Sequence, residues 1–383
     1  MTYNFDEILD RRKSESLKWH CYDEDVLPMW VADMDFRSPE TVVRALQERV
    51  AEGVFGYPQE PPELTELIVE RMQNRYGWKI AKEDVLLAPG VVVGFNWAAH
   101  AMTRAGEGIL IQTPVYPPFF NASENAGLLR QEMELTLQAD GSYAIDFDRF
   151  EQAITSETRM FLLCNPHNPV GRVFTYEELS RMAEICLKHK VGICSDEIHS
   201  DLLFSGTQHI PIASLNPEIA MNTLTIIAPS KTFNIAGLEC SALIVQNPEI
   251  RENLKKAKLG LVGHINLMGL IAALEAYRSG QAWLDELLVY LQSNRDFLFK
   301  TVNEELPGIH MAKPEATYLA WLDCREANLP GTAGDFFAKQ ARVGMNEGEL
   351  FGKGGEGFVR MNFGCPRSML VEALERMKKA LPK

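Results

Sequence analysis

Short apolar runs alternate with amphipathic segments through the middle of this 383-residue chain. The amphipathic segments include residues 92–104, 176–189 and 249–259, and the apolar runs are indicated as buried strands at residues 85–88, 108–112, 160–164, 191–194, 224–228 and 241–245. Continuous apolar strands separated by helices predict an α/β fold in which a mostly parallel sheet is covered by helices on both faces. Ligands of such sheets bind beyond the carboxyl ends of the strands.

A second, smaller unit is predicted after this region, since the chain is too long for one typical core. A long amphipathic stretch at residues 281–305 precedes two strand patterns, 317–322 and 358–363, and a closing helix at residues 368–381. This order predicts a small α+β domain. The predicted boundaries are residues 1–50 for an N-terminal segment that docks on the small domain, 51–284 for the large domain and 285–383 for the small one.

Charge and composition exclude several classes of protein. The net charge of −14 and the pI near 5.2 argue against nucleic acid or an anionic membrane surface as a partner. The chain has no apolar run of eighteen residues and no apolar core of a secretory signal near its first residues. Its seven scattered cysteines indicate reduced thiols in the cytoplasm, and its histidines and cysteines lack metal-site spacing, so we expect no metal site.

The position of Lys231 in the sequence is compatible with a lysine whose amine reacts covalently. Lys231 follows a short apolar strand and lies within the small-residue run APSKTFNIAG, residues 228–237. A lysine held in a cleft has a lowered pKa, and its neutral amine can form a Schiff base. By itself this context is a weak signal, because most lysines in such turns are not catalytic.

Four further groups lie at or near strand ends. Asn168 belongs to an Asn-Pro turn, Asp196 directly follows a buried strand, and Arg360 lies within an apolar strand. The segment after residue 88, PGVVVG, joins a strand to a helix and offers free N–H groups to an anion such as phosphate. Each has a plainer interpretation: a turn without a ligand, a helix cap, an internal salt bridge and an ordinary helix start. A buried Asp196 needs a cationic partner, and a guanidinium in an apolar strand suits a carboxylate ligand.

The order and spacing of these residues resemble a known family. Asn168, Asp196, Lys231 and Arg360 resemble the site of the large pyridoxal-phosphate fold shared by aspartate-aminotransferase-like enzymes. Five motifs narrow the resemblance to the carbon–sulfur β-lyases of the MalY/PatB type: WVADMDF (30–36), PHNPVGR (166–172), DEIHSDL (196–202), SKTFNIAGL (230–238) and RMNFGCPR (360–367). The resemblance covers nearly the whole chain. It implies a seven-stranded type of sheet in the large domain and pyridoxal 5′-phosphate as cofactor.

The resemblance also implies a role for each site residue. Lys231 would bind the cofactor covalently and move the Cα proton of the substrate. Asp196 would keep the pyridine nitrogen protonated, and Asn168 would hydrogen-bond the phenolic oxygen of the ring. The ring would also meet Tyr116, which would stack on its face and take part in catalysis, and His199, which occupies a position near the phenolic oxygen where many relatives have tyrosine.

The phosphate and the substrate carboxylate are assigned in the same way. The N–H groups of Val91 and Val92 and the hydroxyl of Ser230 would hold the phosphate, and Tyr57 resembles a tyrosine that reaches the phosphate across a dimer interface. Arg360 would bind the α-carboxylate with help from the loop of Trp30 and Ala32. One departure weakens the phosphate assignment: Glu239 stands where many relatives have a phosphate-binding arginine.

Together these features predict a homodimeric, cytoplasmic β-lyase for L-cystathionine or related cysteine S-conjugates. The products would be pyruvate, ammonia and a thiol, which is homocysteine if the substrate is cystathionine. An aminotransferase on the same fold is the alternative within enzymes, since no single residue separates the two reactions. A second alternative is a non-catalytic, cofactor-binding regulatory protein, which would have to act through protein contacts.

Overall fold

Seven strands form the central sheet of the computed structural model, which describes residues 3–258 and 260–382. In chain order they are Val85–Ala88 (β1), Gly108–Thr113 (β2), Leu129–Glu134 (β3), Thr158–Cys164 (β4), Gly192–Asp196 (β5), Thr223–Ile227 (β6) and Ser241–Ile244 (β7). Across the sheet the order is β1-β7-β6-β5-β4-β2-β3. Neighbours among β2 to β6 are parallel, and β7 is antiparallel to β1 and β6. The predicted mostly parallel, seven-stranded sheet is confirmed.

The sequence pattern missed strand β3. Its residues Leu129–Glu134 form the edge of the sheet beside β2, and four of the six are polar or charged. An edge strand is hydrogen-bonded to a neighbour on one side and exposed to solvent on the other, so it needs no continuous apolar run. The ends of the other six strands differ from their predicted positions by at most two residues, which is the usual uncertainty of element ends.

Alternating side chains of the strands build two cores, one on each face of the sheet. Ile109 and Ile111 pack with Phe95 of the helix Val91–Met102, whereas Leu110 between them packs with Met182 of the helix Tyr176–Lys188. This period of two is what a strand buried on both faces requires. The remaining α-helices are Leu17–His20, Glu40–Ala51, Pro62–Tyr76, Pro118–Asn125, Phe147–Gln152, Pro217–Met221, Pro229–Thr232, Pro248–Ala257, Leu267–Ser279, Gln281–Glu305, Ala333–Phe336 and Arg367–Ala380.

A second, three-stranded antiparallel sheet follows the 25-residue helix Gln281–Glu305. Its strands are Leu319–Asp323 (β8), Asn346–Glu347 (β9) and Phe358–Asn362 (β10), in the order β8-β10-β9. Two-residue strand pairs join Leu27–Pro28 to Val343–Gly344 and Thr136–Leu137 to Tyr143–Ala144. Short helical turns lie at Arg11–Lys13, Lys82–Asp84, Ile212–Ser214, Ala236–Leu238, Phe337–Ala341 and Gly348–Phe351.

The N-terminal segment packs on this second unit. Phe5, Met29 and Met34 lie in the same apolar core as Leu291 of the long helix and Met361 of β10. The helix Glu40–Ala51 packs instead against the helix Leu267–Ser279, which lies within the predicted large domain. The docking of residues 1–50 as a unit and the boundaries at residues 50 and 284 stay predictions. None of the helices in the described part of the chain is long and apolar enough to cross a membrane.

Candidate active site

One cavity opens beyond the carboxyl ends of four strands of the central sheet. Gly90 follows β1, Asn168 follows β4, Asp196 ends β5 and Lys231 follows β6. Arg360 of β10 closes the cavity from the side of the small sheet. The lining comprises Val31, Ala32, Pro89, Gly90, Val91, Val92, Val93, Tyr116, Cys164, Asn168, Asp196, Ile198, His199, Ser230, Lys231, Ala236, Glu239 and Arg360.

Lys231 carries the amine of this cavity. It lies in the helical turn Pro229–Thr232, and its Nζ donates a hydrogen bond to the carbonyl oxygen of Ala32 at 2.7 Å. The pKa of this lysine is lowered to about 8, chiefly by burial and also by Arg360, while Asp33 and Asp196 oppose the shift. About one tenth of the amine is therefore neutral, and hence nucleophilic, at pH 7, far more than for an exposed lysine.

Asp196 is a buried carboxylate without a cationic partner among the described residues. Its side chain accepts one hydrogen bond, from the backbone N–H of Ile198 at 3.1 Å, and the residue is 3% exposed. The pKa of Asp196 is raised to about 7, chiefly by burial and also by the adjacent Glu197, while the hydrogen bond from Ile198 and the charge of Lys231 oppose the shift. The cation that the sequence led us to expect is not supplied by the described chain. A protonated nitrogen of a ligand would meet this need.

Arg360 is a buried cation surrounded by neutral acceptors. Its guanidinium donates to Asn168 Oδ1 at 2.9 Å, to the carbonyl oxygen of Trp30 at 3.0 Å and to Asn346 Oδ1 at 2.7 Å. Its Nε is buried and has no partner. Burial lowers the pKa of Arg360 to about 10, so it stays charged at neutral pH. No described acid pairs with it, which removes the internal salt bridge as an explanation and leaves room for a carboxylate ligand.

Three polar side chains surround the space between these charges. The carbonyl oxygen of Asn168 faces Arg360, so its amide group remains available as a donor. The ring of Tyr116 packs edge-on against Phe119, and burial raises the pKa of its phenol. Burial, with help from Lys231 and Arg360, lowers the pKa of His199 to about 3, so this imidazole is neutral. Its Nδ1 is buried and unpaired in the described structure.

At the end of the cavity away from Asp196 and Arg360, the polar groups are mainly backbone N–H groups. The helix Val91–Met102 begins here, after Gly90 with a φ of +92°, a conformation that residues with a side chain rarely adopt. The first N–H groups of a helix have no partner within it and attract anions. Ser230 lies nearby, and its hydroxyl makes only a long contact of 3.5 Å with the carbonyl oxygen of Cys240. The one charged side chain that lines this end in the described structure is the exposed Glu239.

The structure brings together most of the residues that the sequence singled out. Trp30 contributes its carbonyl oxygen to Arg360, but its indole turns away and donates to the carbonyl oxygen of Lys18 at 3.0 Å. Tyr57 is 93% exposed and does not line the cavity. The predicted residues that do line it are Ala32, Val91, Val92, Tyr116, Asn168, Asp196, His199, Ser230, Lys231 and Arg360. Their individual roles stay predictions.

Sequence reasoning missed three residues that support the site. Asn346 accepts a hydrogen bond from Arg360, and Asn362 donates to the carbonyl oxygens of Val31 and Asp33. The hydroxyl of Tyr318 donates to the carbonyl oxygen of Ala32. Asn362 carried a usable signal, since a buried amide in an apolar strand must find partners. Asn346 lies in a strand of two residues, and its contact with Arg360 depends on the register of β9 with β10.

Pyridoxal 5′-phosphate fits this set of groups. Lys231 offers an amine for covalent attachment, and the unpartnered Asp196 offers an acceptor for a protonated ring nitrogen. Asn168 has a free amide for a phenolic oxygen, and the helix start at Val91 has free N–H groups for a phosphate. The fit rests on polar groups that are buried here and lack partners within the described chain.

Comparison with known proteins agrees with this geometry. Residues 24–377 match the family model of aminotransferase class I and II. The chain is 41% identical to cystathionine beta-lyase PatB of Bacillus subtilis, over 99% of this chain and 100% of that protein. Two solved structures superpose with a TM-score of 0.95: OvoB, 43% identical over 100% of both chains, and cystalysin from Treponema denticola with its pyridoxal 5′-phosphate, 35% identical over 99% of both. The chain therefore belongs to the aminotransferase class I and II family and, within it, to the group of PatB that its motifs predicted.

Proposed function

We propose that this protein is a pyridoxal-phosphate-dependent carbon–sulfur β-lyase. Its substrate is L-cystathionine or a related cysteine S-conjugate, and its products are pyruvate, ammonia and a thiol, homocysteine in the case of cystathionine. The observation that carries the proposal is the convergence of Lys231, Asp196 and Arg360 on one cavity. The name of PatB, a cystathionine beta-lyase, supports the reaction and the substrate.

The residues of the chain divide the work of this reaction. Arg360 binds the α-carboxylate of the substrate. This carboxylate provides the anionic partner that the guanidinium of Arg360 lacks in the described chain. Lys231 takes the proton from Cα; the electron pair of that bond forms the Cα–Cβ double bond, and the thiolate leaves from Cβ. The cofactor, when bound, supplies an electron sink that stabilises negative charge at Cα. Water then converts the released aminoacrylate to pyruvate and ammonia.

The electrostatics of the site suit this assignment. Asp196 is the acceptor that keeps a ring nitrogen protonated, because a buried carboxylate with no cationic partner among the described residues stabilises a positive charge on a nitrogen beside it, and the resulting ion pair offsets the burial that raises its pKa. His199 is neutral, so it adds no repulsion to Lys231 and Arg360. It serves as a neutral hydrogen-bonding group near the phenolic oxygen, while Tyr116 covers the face of the ring.

An aminotransferase is the second candidate, and the description of the family itself favours it. Both reactions begin with removal of the Cα proton, and they diverge in whether a substituent leaves from Cβ. The motifs shared with the PatB group favour elimination. A non-catalytic regulatory protein is the weakest alternative, because a structural lysine does not need a pKa near 8.

One assay separates these functions. Purified protein is incubated with L-cystathionine and no keto acid, and pyruvate and free thiol are followed with time. We expect sustained and equal release of both. Turnover that begins only when a keto acid is added identifies an aminotransferase, and absence of turnover in both conditions supports the non-catalytic alternative.

Two variants tie the activity to the site. Lys231→Ala removes the amine and abolishes both turnover and the absorbance of the bound cofactor near the border of the visible and ultraviolet ranges. Lys339→Ala, which removes an exposed lysine paired with Asp335, leaves both unchanged. Cofactor absorbance that survives unchanged in Lys231→Ala would show that another group anchors the cofactor.

We also propose that the protein works as a cytoplasmic homodimer in which Tyr57 reaches the phosphate of the partner subunit's cofactor. Tyr57 lies beside Val54 and Phe55, and all three are more than 60% exposed. An exposed apolar cluster of this kind favours contact with a second chain. The buried free thiols of six cysteines support a reducing compartment.

Mixed dimers test the role of Tyr57. We expect Tyr57→Ala and Lys231→Ala each to be nearly inactive. The two variants are mixed in equal amounts, dissociated into subunits and allowed to reassociate. If Tyr57 acts across the interface, half of the dimers contain one intact site, and about one quarter of the wild-type activity returns. No recovery in a mixture that size-exclusion chromatography shows to be dimeric would place Tyr57 in the site of its own chain.

A further inference from the structure

The carbonyl oxygen of Ala32 accepts hydrogen bonds from two functional groups. Lys231 Nζ donates to it at 2.7 Å, and the hydroxyl of Tyr318 donates to it at 2.9 Å. A carbonyl oxygen has two lone pairs, so these donors fill its capacity. The position of this one oxygen therefore links Tyr318 to the lysine amine.

The loop that carries this oxygen is held by side chains and not by secondary structure. Four consecutive carbonyl oxygens, from Trp30 to Asp33, each accept at least one side-chain donor. Asn362 binds the oxygens of Val31 and Asp33 at 2.7 and 2.6 Å. Ala32 lies between them, and its oxygen is held by Tyr318 and Lys231. The N–H of the same peptide group, that of Asp33, donates to the carbonyl oxygen of Val31 at 2.9 Å. Without the phenol, the lysine would be the one described donor to the Ala32 oxygen itself.

Tyr318 is itself placed by a strained backbone. It is fully buried, and the preceding Thr317 has a φ of +71°. A β-branched residue rarely adopts this left-handed conformation, and such strain persists only where the surroundings enforce it. The backbone N–H of Thr317 donates to the carbonyl oxygen of Leu202 at 2.8 Å, and its hydroxyl accepts from the N–H of Leu319 at 3.1 Å. These contacts hold the backbone that aims the phenol at Ala32.

We propose that Tyr318 is a positioning residue for Lys231: its hydroxyl holds the Ala32 carbonyl oxygen where that oxygen binds the lysine amine and stabilises it once it has taken a proton. The amine then has a fixed location after it leaves the cofactor, at hydrogen-bond distance from a permanent acceptor. This inference rests on the proposed function, in which Lys231 moves the Cα proton.

Other charges also act on the lysine and must stay constant in any test. The acids Asp33 and Asp196 favour its charged form, and Arg360 opposes it. His199 is neutral, and the phenol of Tyr116 has a raised pKa. Replacement of Tyr318 by phenylalanine leaves all of these groups in place, and it keeps the ring that packs edge-on against His199, with a centroid distance of 6.2 Å. The phenol that it removes raises the pKa of Arg360 slightly, against the larger effect of burial, and Arg360 is charged at neutral pH.

The test measures covalent capture of pyridoxal 5′-phosphate by cofactor-free protein as a function of pH. The adduct is fixed with borohydride, and its attachment to Lys231 is checked by mass spectrometry. Capture needs the neutral amine, so its rate rises with pH through the pKa of Lys231, and Tyr318→Phe moves this midpoint down by about one unit because the ammonium loses a held acceptor. In the loaded enzyme, kcat for cystathionine falls about tenfold while KM changes less than twofold.

A matched control distinguishes positioning from packing. Tyr143 is buried elsewhere, and its hydroxyl accepts a hydrogen bond from Trp321 Nε1 at 3.0 Å. Tyr143→Phe loses a buried hydrogen bond, and we expect a similar loss of thermal stability with no change of the capture midpoint. A midpoint in Tyr318→Phe that matches wild type, or that moves up, overturns the inference.

Failure of the inference and failure of the proposed function give different results. Wild-type protein that captures no cofactor on Lys231 refutes the function itself. If Tyr318→Phe does not fold, Thr317→Gly provides the test, since it keeps the phenol but releases the backbone that aims it. A downward shift of the capture midpoint in Thr317→Gly, smaller than the one unit expected for Tyr318→Phe, supports the inference. An unchanged midpoint in Thr317→Gly refutes it.

Discussion

The two ends of the cavity are built in different ways. At the ring end, Lys231, Asp196 and Arg360 are charged or titratable side chains with displaced pKa values, and Lys231 and Arg360 have partners in distant parts of the chain. The contacts of Arg360 with Asn168 and Trp30 span 192 and 330 residues. At the other end, where we propose that the phosphate binds, consecutive backbone N–H groups after Gly90 are available to an anion, and the only charged side chain there in the described structure is an acid.

The difference teaches where each end is sensitive to mutation. A backbone N–H survives any substitution except proline, so the phosphate end depends on chain conformation at one glycine and not on side-chain chemistry. At the ring end, function depends on specific side chains: removal of Lys231 or Arg360 leaves buried polar groups unsatisfied, and removal of the Asp196 charge deprives a bound ring nitrogen of its acceptor. Among the residues that line the cavity within one chain, substitutions should therefore have large effects at the ring end and small ones at the phosphate end; Tyr57, which we propose to act from the partner subunit, is not part of this comparison.

The largest expected effect follows Asp196→Asn. Elimination falls about 10³-fold because a neutral amide no longer keeps the ring nitrogen protonated. The same change stabilises the cofactor-free protein at pH 7 by about 2–4 kcal/mol, since Asp196 has a raised pKa in the folded state and its ionisation favours unfolding. Chemical denaturation as a function of pH checks the sign: the advantage of the variant shrinks as pH falls from 7 to 4, because the aspartate is then protonated in the folded state.

Asp201→Asn is the matched control for this prediction. Asp201 is equally buried, but it pairs with Arg71 at 2.7 Å, and this partner holds its pKa below the usual range although burial opposes the shift. Removal of a paired charge destabilises the protein, so the two substitutions should have opposite signs. Loss of stability in both variants would contradict the view that Asp196 lacks a partner in the chain.

Arg360→Lys should raise KM for cystathionine about 10²-fold, with a smaller change in kcat. A lysine keeps the charge but cannot form planar, bidentate hydrogen bonds with a carboxylate. It also loses the hydrogen bonds that Arg360 donates to Asn168 and Asn346. Steady-state kinetics measure the change. Arg325→Lys, at an exposed pair with Asp323, is the control and should leave KM unaltered. An unchanged KM in Arg360→Lys would place the carboxylate site elsewhere.

Asn346→Ala should lower kcat/KM about tenfold through KM. The substitution removes one neutral acceptor of Arg360, at 2.7 Å, without touching the charge itself. Asn303→Ala removes a comparable amide, which binds the carbonyl oxygens of Phe299 and Met311, and it should not affect the kinetics. Equal effects of the two variants would mean that Asn346 contributes only to general stability.

The smallest effect is expected at the phosphate end. Glu239→Gln should tighten the binding of pyridoxal 5′-phosphate about threefold, because an exposed carboxylate repels the phosphate weakly through solvent. Fluorescence titration of cofactor-free protein with pyridoxal, which lacks the phosphate, should show no change. Glu349→Gln is the exposed control. A tenfold or larger gain with both ligands would refute the contrast between the two ends.

The sequence was most informative about the residues that carry chemistry. Lys231, Asp196 and Asn168 lie at strand ends that apolar runs already marked, so their approach to one another followed from the rule for parallel sheets. The supporting residues Asn346 and Tyr318 could not be found in this way. Asn346 faces Arg360 through the register of a two-residue strand, and Tyr318 meets Ala32 across 286 residues. No local pattern encodes either contact.

The sequence by itself determined the sheet, the family and the positions of the reactive groups, because strand periodicity and strand-end motifs are local properties of the chain. Only the tertiary structure decided their chemical state. It buried Asp196 without a cation, surrounded Arg360 with neutral acceptors and set the amine of Lys231 on the oxygen of Ala32. Burial and partners control the pKa of each group, and both depend on which distant segments fold against it.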